Sequence, residues 1–174
     1  MKIFIIALFF AGAAFANQNW QIDKSKFTYT VKYTFKTVHG ESTSAKGKIQ
    51  CDAKTCEYLI AIPVKSFDSG DSNRDIHMMS ITKGEANPMV SASGTFATEL
   101  LSKTQATIPA SVNFAGAKKD YTIPVNLSQK PVMKLTGVIP LVLTDFKIEL
   151  PSLLGINIDD KTPVDFEIEL KQAL

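Results

Sequence analysis

Cysteine, histidine and arginine are all scarce in this chain: two, two and one respectively in 174 residues. With so few soft or imidazole ligands, a four-ligand zinc centre would have to recruit groups far apart in the sequence. Runs of basic residues are missing as well. Beyond residue 16 there are 18 basic residues against 17 acidic ones, which leaves no electrostatic footprint for a nucleic-acid partner. Neither a Gly-x-Ser-x-Gly turn nor a His-Glu-x-x-His helix occurs, so the usual serine-hydrolase and zinc-protease signatures are lacking. The longest uncharged apolar stretch, Ile3 to Ala16, covers 14 residues, short of the roughly 20 that span a bilayer as a helix.

What is present at the start reads as an export signal. Lys2 is followed by the apolar run Ile3 to Phe10 and by the small-x-small site Ala14-Phe15-Ala16. Cleavage is expected between Ala16 and Asn17, leaving residues 17–174 as one domain that is not membrane-integral. An oxidising destination gives the two cysteines a role. Cys51 and Cys56 flank Asp52-Ala53-Lys54-Thr55, between one predicted strand and the next, and facing positions of a hairpin suit a disulfide.

Period-two alternation dominates the remaining sequence. Phe27, Tyr29, Val31, Tyr33 and Phe35 interleave with Thr28, Thr30, Lys32, Thr34 and Lys36, the pattern of a half-buried strand. The same period runs through Tyr58 to Val64, Ala110 to Phe114, Tyr121 to Leu127 and Val164 to Leu170. Weaker strands are expected at Ser44 to Gln50, Val90 to Thr98 and Val132 to Leu143, with a short one at Phe146 to Leu150. Eight or more strands at this spacing predict an all-β sandwich or barrel, and closure removes the exposed edges. Only Ser66 to Asn87 breaks the pattern; it is expected to be a long irregular or short-helical insertion. Small residues such as Ala45, Gly47, Ala92 and Gly94 suit either a cavity or close sheet packing.

The run Ser66-Phe67-Asp68-Ser69-Gly70 through Arg74-Asp75-Ile76-His77 resembles the signature of the YceI-like family. So do Trp20-Gln21-Ile22-Asp23, Gly47-Lys48-Ile49, Asn87-Pro88, Thr144-Asp145-Phe146 and Pro151 to Ile156 with Asp159-Asp160. That resemblance implies an extended eight-stranded antiparallel lipocalin-like barrel, a periplasmic location, and an internal tunnel for a polyisoprenoid or similar amphiphilic lipid. A polyprenyl chain or a quinone tail is the implied partner, with no other cofactor; a homodimer is left open. Lys147 departs from the family, which commonly has glycine after Asp-Phe.

Candidate site residues follow from chemistry. Tyr29, Val31, Tyr33, Phe35, Phe96, Phe114, Phe146 and Phe166 can supply an apolar lining or equally a packed core. Arg74 sits among Asp68, Asp71 and Asp75; its fork can meet a lipid head group or pin the long loop, the latter favoured because nearby acids outnumber it. Asp75 and His77 also permit a weaker reading as hydrolase or metal-enzyme groups, with Ser66 or Ser69 as nucleophile. A third reading is a stress protein that sequesters varied hydrophobes. The expected outcome is a binding protein and not an enzyme.

Overall fold

A computed structural model describes residues 18–33, 36–153 and 156–173. Among the described residues the strands are, in chain order, β1 (Gln18–Lys32), β2 (Thr37–Ser42), β3 (Lys46–Cys51), β4 (Thr55–Pro63), β5 (Met89–Ala97), β6 (Gln105–Phe114), β7 (Ala117–Ser128), β8 (Met133–Val142), β9 (Ser152–Leu153), β10 (Ile156–Asn157) and β11 (Lys161–Gln172), with one α-helix, α1 (Ser72–Ile81). Hydrogen bonding runs β1-β3-β4-β5-β6-β7-β8-β11 and returns to β1, closing an antiparallel eight-stranded barrel. β2 is the extra strand and pairs with the second half of β1, where Tyr29 lies opposite Gly40. β9 and β10 form a separate small hairpin.

The alternation that predicted β1 carries a phase change. Ile22 lies opposite Leu170 and Lys24 opposite Glu169, so Asp23 is an extra residue in the pairing with β11. A single inserted residue reverses which face each later side chain takes. Trp20 and Ile22 therefore pack on the core from even positions, while Phe27 does so from an odd one. Asp23 itself turns outward, where the Lys171 ammonium lies 2.6 Å from its carboxylate.

Cys51 and Cys56 face each other across β3 and β4 and form a disulfide. In the turn between them, the Asp52 carboxylate accepts the backbone N–H of Lys54 and of Thr55, both at 2.7 Å. This bonded hairpin tip sits at the filled end of the barrel, among Ile49, Phe96, Leu101, Ile108, Leu127, Leu135 and Leu170. A second buried cluster, with Val112, Leu141, Leu143, Phe146, Ile148 and Ile158, lines the opposite end. Small residues serve both purposes considered above. A β-carbon on Gly47 or Gly94 would collide with backbone carbonyls of the neighbouring strands, so these glycines allow close sheet contact. Ala92, by contrast, borders open interior space.

Tyr58 reports on the filled half. Its hydroxyl donates to the Pro109 carbonyl at 2.8 Å, and burial pushes its pKa up to about 12. Because the folded state holds this proton more tightly than the unfolded chain, Tyr58's contribution is complete below the ordinary phenol value near 10. It is lost as pH rises from there through 12. Urea titrations at increasing pH should show wild-type stability falling across that window, and a Tyr58→Phe variant should show a shallower fall.

The insertion at 66–87 holds a regular helix where little helical period was visible. Asp71 caps α1, its carboxylate accepting the N–H groups of Asn73 (3.0 Å) and Arg74 (3.2 Å). At the other end the Thr82 hydroxyl donates to the Met78 carbonyl at 2.7 Å. Phe146 to Leu150, read above as a short strand, is not one. The chain leaves β8 because Asp160 captures it: the Leu143 N–H donates to the Asp160 carbonyl, and the Thr144 N–H and hydroxyl donate to its carboxylate. Leu143–Phe146 is a tight helical turn that ends at Lys147 with φ 57°, a left-handed conformation in which glycine is the easier residue.

Candidate functional site

Above the filled half the barrel is open. Tyr29 and Val31 of β1, Tyr33 just beyond it, Ile60 and Ile62 of β4, Val90 and Ala92 of β5, and Val112 and Phe114 of β6 surround a cavity. Ile139 and Leu141 of β8 and Val164 of β11 complete the wall, with Phe27 and Ile62 belonging to the packed cluster beneath. The sequence puts these side chains there by period two alone: each wall residue shares a face with its neighbour two positions away. Beneath the cavity the disulfide end of the barrel is filled by packed side chains, so the internal space lies in the opposite half.

Its volume is about 170 Å³. An apolar cavity of about 150 Å³ is known to stay dry and to take up a benzene-sized molecule. The lining here is aliphatic and aromatic almost throughout, so expulsion of water by hydrocarbon is its natural chemistry.

α1 covers part of the cavity, contributing Arg74, His77, Met78 and Ile81. Arg74 is committed to its own loop: Nε donates to the Ser69 hydroxyl at 3.1 Å, a terminal nitrogen donates to the Ser69 carbonyl at 2.8 Å, and the other lies 3.7 Å from the Asp71 carboxylate. Asp75 accepts the Ser69 N–H at 3.1 Å. The guanidinium and the Arg74 N–H hold the Asp71 carboxyl below the usual carboxylate range, the N–H acting most strongly. Tyr29, beneath this clasp, has its hydroxyl pKa raised by burial first and by the nearby Asp75 second. The loop is tied to the barrel at Glu41 and Asp68, which exchange two backbone hydrogen bonds of 2.9 Å.

Of the sequence candidates, Tyr29, Val31, Tyr33 and Phe114 come together in the cavity with Arg74 and His77. Three other aromatics lie outside its lining. Phe96 packs against Tyr58 in the filled half, ring centroids 6.2 Å apart. Phe166 stacks on Phe27 at 6.0 Å, and Phe146 stands behind Phe114 at 5.6 Å. Phe35 lies outside the described residues. Asp75 and His77 do not form a catalytic pair with either serine: the Ser66 hydroxyl donates to the Pro63 carbonyl and is bonded to Ser42, and the Ser69 hydroxyl accepts from Arg74. Ala92, one of the small residues suited to a cavity, does line it, whereas the aliphatic wall of Ile60, Ile62, Val90, Ile139 and Leu141 is not among the sequence candidates despite its period-two signal.

Comparison with known proteins is consistent with this geometry. A family model described as a YceI-like domain matches residues 20–170. Among solved structures, a polyisoprenoid binding domain from Saccharophagus degradans, implicated in plant cell wall breakdown, superposes with a TM-score of 0.75 at 14% identity, over 88% of this chain and 98% of that one. BcnA of Burkholderia cenocepacia gives 0.72 at 17% identity, over 84% and 96%. A Campylobacter jejuni YCEI protein gives 0.56 at 15%, over 79% and 85%. Among curated proteins none matches.

Proposed function

The chain belongs to the YceI-like family, and on that premise we propose that it is a periplasmic carrier for a polyisoprenoid or similar long apolar lipid, held tail-first in the barrel. The observation that carries the reading is the internal cavity with its almost wholly hydrocarbon wall. Each methylene moved from water into such a wall contributes about 0.8 kcal/mol, so a chain can be retained with no specific polar contact. The similar fold of the Saccharophagus degradans polyisoprenoid binding domain supports the choice of cargo. Arg74 and Asp75 then act on the protein itself, fastening the loop that carries α1, while Tyr29, Val31, Tyr33 and Phe114 meet the tail. The Lys2 start, the apolar run Ile3 to Phe10 and the Ala14-Phe15-Ala16 site support the periplasmic part of this reading.

Extraction of protein purified from the producing cell's periplasm, followed by mass spectrometry, should yield a prenyl-chain lipid in near-stoichiometric amount. Recovery of bare polypeptide that also ignores added prenols would defeat the proposal.

A further inference from the structure

A second depression, an open groove of about 740 Å³, runs along the outer side of α1. Phe67 and Met78 line both this groove and the inner cavity, so these two side chains form a shared wall. We propose that the groove is the outer half of the cargo site: the apolar end of an uncharged prenyl amphiphile fills the barrel, and the remainder passes between Phe67 and Met78 to lie along α1. This rests on the carrier reading above.

Size points to it first. A cavity of about 170 Å³ suits a short hydrocarbon segment, and a long prenyl chain must continue somewhere. Only the shared wall of Phe67 and Met78 separates the groove from the cavity. The groove's composition suits the polar-proximal part of an amphiphile. Met79 and the 69%-exposed Ile76 offer apolar contact, while Lys65 and Lys83 are balanced by Asp75 and Glu85. That balance leaves no net attraction for a phosphate and favours an uncharged head such as an alcohol or a quinone.

The dividing wall is also lightly packed. α1 has no buried residue, and it lies between two left-handed backbone positions, Gly70 (φ 76°) and Lys83 (φ 54°). Methionine is unbranched and adapts to irregular gaps, so Met78 can swing aside without disturbing a strand. None of this touches the sheet hydrogen bonds that close the barrel.

Ala86 and Ser80 border the groove only, and both are exposed. Ala86→Trp puts an indole in the groove, in the path of the chain, and leaves the cavity as it is. Titrating folded protein with geraniol and geranylgeraniol, the variant should bind geranylgeraniol at least about tenfold more weakly, the effect of losing burial of about two methylenes, and geraniol within about twofold of wild type. Ser80→Trp should behave alike and serves if Ala86→Trp does not fold. Unchanged binding of both prenols, or an equal loss for both, overturns the groove. Wild-type protein that binds neither prenol overturns the carrier reading itself, and the groove with it.

Discussion

Ala92→Trp should remove lipid retention while leaving the barrel folded. Ala92 borders the cavity between Ile60 on β4 and Val112 on β6, and an indole there occupies the space a hydrocarbon tail would take. The expected loss is more than about tenfold in affinity for geranylgeraniol, since several methylenes lose their wall at about 0.8 kcal/mol each. Overpacking typically costs about 1–3 kcal/mol in a filled core, and Ala92 borders open space, so the far-ultraviolet spectrum should stay that of the parent. Leu59→Trp is the matched control: Leu59 neighbours Ile60 on the same strand but is 51% exposed, and its substitution should leave binding unchanged.

The second large effect concerns stability. Phe146 is 0% exposed, with Phe114 edge-on at 5.6 Å and Tyr121 stacked at 6.4 Å. Truncation to alanine removes both ring contacts and leaves a void beside Leu143 and Ile158, which the barrel strands cannot collapse to fill. A loss of about 3–5 kcal/mol is expected, read from the shift in urea midpoint at constant slope. The cost should be structural, with prenol affinity per folded molecule falling much less than in Ala92→Trp. This separates Phe146 from the lining in which its aromatic character first placed it.

That contrast marks where sequence reading succeeds and where it stops. Period two in Phe27 to Tyr33 and in Val164 to Leu170 is imposed by the pleat itself, so strand identity and the inward face were legible. Which inward residues meet a void and which meet each other was not, because that depends on the opposite wall. Phe114 and Phe96 carry the same local pattern, yet one faces space and the other packs on Tyr58. The phase change at Asp23 was hidden for a similar reason: a bulge is defined by the partner strand, here β11. The short-helical insertion at 66–87 was legible, but the bounds of α1 were not, because its apolar residues Ile76, Met78, Met79 and Ile81 ring the helix without making one stripe, so its caps Asp71 and Thr82 say more than its periodicity. Ile148 alternated with Lys147 and Glu149 like a strand, but the grip of Asp160 on Leu143 and Thr144 had already turned the chain.

Arg74 shows how geometry assigns a role that composition leaves open. As the one arginine in the chain it can meet a head group or pin its loop, the second being favoured by the surrounding acids. Two hydrogen bonds to Ser69 and its proximity to Asp71 spend its fork on holding the α1 loop. The cargo's retention is thereby left to the apolar wall.

The most direct test of that wall is a crystal structure of the protein purified without delipidation. The carrier account predicts elongated non-protein density between Tyr29, Ala92 and Ile139, continuing past Met78. A barrel whose own side chains meet across that space, with no density between them, would contradict it.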